Sequence, residues 1–532
     1  MYICAFLYLF TFTKPKELTN VRILKFLHRW FGALAAVILI FFAMSGIVLN
    51  HRSLFSPIDI PRSMLPNTYR FDNWNFAAVK SAEWIAPDSV LVYGNIGIWL
   101  TDSTFSHFES YFDGMRRGTD NRRTASVLRT PGGMVLAGTM SGLYMLLDHR
   151  WEPIRLPVRE QRITGMTIQG GDVIAMTRSH IVRFPDLPVA DPGVIASRAE
   201  AGMLPRPEDY KRETSLFRAL WVIHSGEILG LPGKLFVDAM GLALIFLCVS
   251  GLIWFFAPDM TRAVRNRLRA KSMVRSINRF SFRWHNKLGI LVLAFLIISA
   301  LTGIFLRPPL LIPIARKTVP AIRHTLLDHP NPWHDKLRDI RFDRTAGSFL
   351  ISTSDGFYYA DPAFREAPRR VPHQPPVSVM GINVFEQESD SVFIVGSFSG
   401  LYRWNPADRQ IRDKITGLEV NPARGMVNPF GAVAVAGLIR NPGSKTYVFD
   451  YTAGAFSREV HAPFPAMPEE IRRQTGMPLW NLALEVHTGR FYSFILGRWY
   501  ILFIPLAGLT YLVILVTGGI IWFKRRRRKS IP

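Results

Sequence analysis

The chain has 532 residues, 48% of them hydrophobic, with a formal net charge of +24 and only two cysteines. That length and apolar content exceed what one ordinary soluble domain needs. Cys4 and Cys248 supply neither a disulfide framework nor a cysteine cluster for iron and sulfur. A helix needs about 20 apolar residues to span a bilayer. In chain order, residues 1–12 are apolar but too short, and they lack the basic start and small-residue cleavage site of a signal peptide. Four stretches qualify as spanning helices: roughly 30–50, 235–256, 288–306 and 500–523. Charge is almost absent from them. Asp238 stands four residues after Lys234, a spacing that suits an ion pair within one helix near the interface.

The order of segments is then a cytoplasmic stretch 1–26, a first helix 27–52, an insertion 53–222, a second helix 223–257, a basic loop 258–283, a third helix 284–307, an insertion 308–486, a fourth helix 487–523 and a basic tail 524–532. Lysine and arginine close to helix ends set orientation. Lys14, Lys16, Arg22, Lys25 and Arg29 precede the first helix, eight lysines and arginines between 262 and 283 separate the second from the third, and 524–529 is wholly basic. These three runs are expected on the cytoplasmic side, with both termini, as in a multi-pass protein of a bacterial inner membrane. The two insertions then lie in the periplasm. Placement beside helices accounts for the net charge without nucleic acid as a partner.

Residues 28–49 read HRWFGALAAVILIFFAMSGIVL and 285–306 read HNKLGILVLAFLIISALTGIFL, so His, then Gly, then Ser-Gly or Thr-Gly recur without a gap. The second and fourth helices match as well. HSGEILGLPGK opens residues 224–256 and SGLIWFF closes them, while HTGRFYSFILGR opens 487–523 and TGGIIWF closes them, with about one turn inserted. The two halves are thus expected to be parallel repeats about an axis along the membrane normal. That symmetry sets His28 and His285 at the cytoplasmic edge and His224 and His487 at the outer edge. Each pair can face across the bundle as the axial ligands of one haem, which two neutral imidazoles keep six-coordinate.

A single interfacial histidine more often meets a headgroup or a backbone carbonyl; four at repeated positions, two per face, weigh towards ligation. Gly32, Gly289, Gly226 and Gly489 remove bulk where a flat porphyrin would approach. Arg29, Lys287 and Arg490, with Lys234, are candidate propionate partners and suit plain interfacial anchoring equally well. His51 has no repeat partner, because Pro308 holds the equivalent place, and is expected to stay unpaired at the interface. No C-x-x-C-H motif is present, which excludes c-type attachment.

The motifs LHRWFG at 27–32, HSGEILG at 224–230, WHNKLG at 284–289 and HTGR at 487–490 resemble the PepSY-associated transmembrane helix family, whose members include inner-membrane ferric siderophore reductases. The resemblance covers about the membrane quarter of the chain. It implies two b-type haems held between His28 and His285 and between His224 and His487. It also implies a ferric siderophore or related chelate as the periplasmic electron acceptor.

Neither insertion carries a PepSY pattern. Each shows about three hairpins of alternating residues around a Gly-containing turn, near 89, 134, 172, 348, 391 and 446. The expected fold class is therefore a membrane α-helical bundle of four transmembrane helices, two parallel repeats of two, plus a β-rich periplasmic domain. The near-40-residue spacing points to one six-unit propeller-like cap, with two separate β domains as the alternative. Aromatic stripes in the hairpins read as sheet cores. His324, His329 and His334 have metal-binding chemistry, but their Pro-interrupted spacing fixes no ligand geometry. No H-E-x-x-H, G-x-S-x-G, Walker A or G-x-G-x-x-G motif occurs, so electrons would come from a quinol or a separate cytoplasmic reductase. The competing reading is a non-enzymatic, membrane-anchored partner-binding or signalling protein. A transporter is disfavoured, because buried acidic pairs and broken mid-membrane helices are lacking.

Overall fold

The computed structural model describes residues 17–185, 191–421, 429–441, 445–457 and 464–529; the apolar stretch 1–12 with Cys4, Lys14 and Lys16 lies outside them. The chain divides into two compact units, each assembled from pieces distant in sequence. One takes 212–328 with the described residues before 53 and after 479; the other takes 53–211 and 329–479. Residues 212–222, 308–328 and 480–486, expected in the insertions, thus go with the helices. A short strand pair, Glu213–Ser215 with Thr318–Pro320, ties the first two of these segments together.

The helical unit is built on α1 (Glu17–Asn50), α2 (Leu216–His224), α3 (Gly230–Phe255), α4 (Leu268–Ile304), α5 (Leu479–His487) and α6 (Phe503–Lys529). Four stretches are long and apolar enough to cross a membrane: Val21–Asn50, Glu227–Ala263, Leu268–Ile304 and Arg490–Arg527. Their helices close a ring in which α1 packs on α3, α3 on α4, α4 on α6 and α6 on α1. Small side chains such as Ala35, Ala36, Ala243 and Ala300 sit at the centre, while Leu34, Leu242, Leu291 and Leu509 point outward. This is how helices pack when their solvent is lipid, since close backbone approach replaces the hydrophobic drive of water.

Two local expectations change. The basic stretch 258–283 is largely helical, through Ala257–Ala263 and the first turns of α4. From 259 onward it holds neither Gly nor Pro to stop a helix. Second, α2 and α5 are separate from the long helices that follow. Each ends in a left-handed glycine, Gly226 at φ 76° and Gly489 at φ 78°, whose N–H caps the helix on the carbonyls of Ile223 and Val486. These two glycines serve the turn rather than a porphyrin face. A Cβ on Gly226 would lie 2.2 Å from the Gly233 carbonyl, so the turn also needs backbone against backbone.

In the β-rich unit, the first strands of six sheets are β1 (Ser81–Ala86), β2 (Thr124–Arg129), β3 (Gly165–Gln169), β4 (Leu337–Asp343), β5 (Ile382–Ser389) and β6 (Val435–Arg440). Each opens an antiparallel meander, of four strands in five sheets and three described strands in the sixth. First strands neighbour one another in order, and β6 returns to β1, where the Leu438 N–H donates to the Lys80 carbonyl at 2.9 Å. Three sheets from each insertion thus form one closed, propeller-like ring. The six expected hairpins are the second and third strands of these sheets. Their aromatics are the cores between neighbouring sheets: Trp74, Tyr447 and Phe449 join the last sheet to the first, and Phe349 packs beside Ile174 between the third and fourth.

Candidate functional site

Both predicted histidine pairs are brought together. The ring centres of His28 and His285 lie 6.2 Å apart at an interplanar angle of 83°, and those of His224 and His487 lie 6.0 Å apart at 58°. His28 is on α1 and His285 on α4, helices diagonally opposite in the ring. His224 closes α2 and His487 closes α5.

Every imidazole is held through Nδ1 by a neighbouring helix. His28 Nδ1 meets the Ile514 carbonyl at 3.0 Å, with Thr517 Oγ1 at 3.5 Å. His224 Nδ1 meets the Ser299 carbonyl at 3.0 Å and Thr302 Oγ1 at 3.2 Å. His487 Nδ1 meets the Phe42 carbonyl and Ser45 Oγ, both at 3.0 Å. His285 Nδ1 meets Ser250 Oγ at 2.9 Å, and Ser250 donates its own proton to the Leu247 carbonyl at 3.1 Å. A carbonyl, or a hydroxyl whose hydrogen is already placed, can only accept. His28, His224 and His487, bonded to carbonyls, therefore carry the proton on Nδ1 and the lone pair on Nε2, the tautomer of an Nε2 metal ligand; His285 does the same where Ser250 keeps its own proton on the Leu247 carbonyl.

Next to each hydroxyl stands a glycine that leaves room for the ring. A Cβ on Gly518 would lie 2.8 Å from His28 Cε1, on Gly303 2.9 Å from His224, on Gly46 3.3 Å from His487 and on Gly251 3.5 Å from His285. The Ser-Gly and Thr-Gly dipeptides were visible as repeats in the sequence; the imidazole contacts that give them a purpose cross between helices and leave no local signal.

The spacing fits one metal between two imidazoles. Two metal–nitrogen bonds of about 2 Å, plus about 1.1 Å from each nitrogen to its ring centre, put the centres about 6.2 Å apart. A cavity of about 790 Å³ adjoins the inner pair, within the size range of cofactor sites. Gly32, Gly289 and Gly519 are among its walls, with nothing within 4 Å of a Cβ placed on Gly32. Lys25, Arg29, Lys524 and Arg525 line it, a cationic set suited to carboxylates. At its other end the Tyr511 hydroxyl is buried without a hydrogen-bond partner. An orphaned polar atom of this kind marks a place meant to be filled or hydrated.

Of the candidate propionate partners, Arg29 borders this cavity while donating to the Phe255 carbonyl at 3.4 Å. Lys287 instead lies 5.3 Å from the centre of the Trp284 ring, and Arg490 pairs with Glu485 at 2.6 Å. Two other expectations are corrected. Asp238 pairs not with Lys234 but with His51 Nε2 at 2.6 Å and Asn50 Nδ2 at 2.8 Å, so His51 is not unpaired. Lys234 turns to Glu227 at 3.0 Å, because the turn at Gly226 folds that carboxylate back over α3. His329 and His334 stack with ring centres 3.9 Å apart, and among the described residues no three His, Cys, Asp or Glu side chains converge as a metal set.

Among solved structures, the chain is similar to the extracellular domain of a hybrid two-component system from Bacteroides thetaiotaomicron, at 10% identity and a TM-score of 0.32, over 74% of this chain and 40% of that one. It is also similar to a structural-genomics protein of unknown function from the same organism, at 8% identity and a TM-score of 0.33, over 74% and 72%. The chain therefore spans well under half of the first of these. Among curated proteins none matches. The model of the PepSY-associated TM region matches twice, over residues 5–257 and 258–525, each span enclosing one helix pair with its insertion. The chain is a multi-pass membrane protein that belongs to the PepSY-associated TM region family.

Proposed function

We propose that this protein is a di-haem b-type electron-transfer protein of a bacterial inner membrane that reduces a ferric siderophore or related ferric chelate in the periplasm. The observation that carries the reading is the pair of imidazoles at each end of one helical ring, with ring centres 6.2 Å and 6.0 Å apart. Haem held by His28 with His285 and by His224 with His487 would supply one-electron chemistry.

The chain's own residues account for what such a site needs. Nδ1–H bonds to Ile514, Ser250, Ser299 and Phe42 aim the four Nε2 lone pairs. The glycines beside the rings leave room for the imidazoles between the helices. Seventeen positions of helix separate His28 from Ser45, which holds His487, so the two layers lie about 26 Å apart. Lys25, Arg29, Lys524 and Arg525 at the mouth of the inner cavity support a cytoplasmic orientation for that end. Reduction of the bound ferric ion weakens hard oxygen coordination and releases the metal; a quinol or a cytoplasmic reductase is the electron donor.

The test is the absorption spectrum of the chain purified in detergent, oxidised and dithionite-reduced, with haem quantified per polypeptide. Two b-type haems per chain, reoxidised on adding a ferric siderophore, are expected. A chain free of haem after expression with ample supply sinks the reading and leaves a membrane-anchored partner-binding protein in its place.

A further inference from the structure

The four hydroxyls beside the histidines do more than any buried hydroxyl in a membrane helix must. Ser45, Ser250, Thr302 and Thr517 are all buried. Each satisfies its own proton on a carbonyl three or four residues back: Phe41 at 2.6 Å, Leu247 at 3.1 Å, Ile298 at 2.8 Å and Val513 at 2.6 Å. That back-bonding is the ordinary solution for Ser and Thr in an apolar helix and requires no imidazole nearby. The glycine that follows each one is not explained by it. Those glycines lie against the rings: a Cβ would press on imidazole Cε1 at 2.8–3.3 Å from Gly518, Gly303 and Gly46 and would touch it at 3.5 Å from Gly251. With the hydroxyl hydrogen turned into its own helix, the oxygen presents a lone pair to Nδ1–H.

We infer that Ser45, Ser250, Thr302 and Thr517 are positioning residues that raise the electron-donating strength of the four imidazoles and so set the reduction potential of each centre independently. The inference rests on the reading of the two pairs as haem ligands. An N–H that donates to a fixed acceptor pushes charge onto the opposite ring nitrogen, which strengthens it as a ligand and favours the oxidised metal. The wiring separates the two centres. Ser250 on α3 and Thr517 on α6 serve the inner pair, and Ser45 on α1 and Thr302 on α4 serve the outer pair. At 3.5 Å the Thr517 contact is the longest and gives the weakest effect.

Redox titration of the full-length chain in detergent tests this, with the centres assigned from single-centre backgrounds His224→Ala and His28→Ala. Ser250→Ala is expected to raise the potential of the inner centre and leave the outer one in place; Ser45→Ala is expected to raise the outer potential alone, by less, because the Phe42 carbonyl at 3.0 Å still accepts from His487. Ser250→Thr, which keeps an acceptor oxygen, returns the inner potential to that of the parent. Should Ser250→Ala lose the inner haem, Ser250→Thr must keep it at the parental potential. Potentials that stay put in both alanine variants, or move together in one of them, overturn the inference while the haem reading stands. A parent chain without haem removes both.

Discussion

His28 and His285 sit within long helices, about three turns or more from the starts of α1 and α4, whereas His224 and His487 are the last residues of two nine-residue helices. The inner rings inherit their positions from helices that would exist for other reasons. The outer rings depend on a glycine turn that ends one helix and starts the next. Equal ring spacings are thus reached through unequal supports, and the outer pair is the one that a single backbone change can dislodge.

The largest expected effect separates the pairs outright. With two haems bound as proposed, His224→Ala is expected to remove one and His28→Ala the other, read as haem content against protein concentration. Loss of both from either single variant would mean that the pairs are not separate sites.

Gly226→Ala comes next, since it forces a left-handed backbone onto alanine and drives Cβ to 2.2 Å from the Gly233 carbonyl. A cost of about 3 kcal/mol is expected, seen as a lower thermal midpoint, with loss of the outer centre and an intact inner one. An unaltered outer centre would show that its support is not the turn. Within the inner pair, Gly518→Ala should cost about 1–3 kcal/mol, because its Cβ meets the His28 ring at 2.8 Å. Gly251→Ala at 3.5 Å should cost less than about 1 kcal/mol. Equal costs would mean that the imidazole has room to give way.

The smallest effect concerns the cavity at the inner pair. Tyr511→Phe removes a buried hydroxyl without a partner and should stabilise the cofactor-free chain by about 1 kcal/mol in chemical or thermal unfolding. Destabilisation would instead reveal a bound water or ligand on that oxygen.

Landmarks that obey short-range rules were legible in the sequence. The histidines and glycines of the repeat stood at fixed offsets, and the six hairpins announced themselves by aromatic alternation around a glycine turn. The first strands of the sheets did not. β1, β4 and β5 face the crowded middle of the ring with polar side chains such as Glu83, Asp339, Arg341 and Glu386, so the apolar signal is diluted. α2 and α5 escaped notice because each is only nine residues long and runs into further short helical turns before the long helix, so the break is set by backbone φ at glycines such as Gly226, Gly230, Gly489 and Gly497 rather than by a change in composition. Asp238 was assigned to Lys234 on spacing alone; its real partners, Asn50 and His51, lie almost 190 residues away in sequence. The hydroxyl–imidazole bonds are equally non-local.

The closed ring also dictates when the β-rich unit can finish folding. β1 cannot meet β6 until about 350 further residues have been made, which at about 5–20 residues per second is on the order of tens of seconds. During that interval the first three sheets stand with a face of Trp and Phe uncovered and a sheet edge unpaired, the two features that recruit unwanted strands. A chain cut off after the first insertion is therefore expected to self-associate more readily than the complete chain.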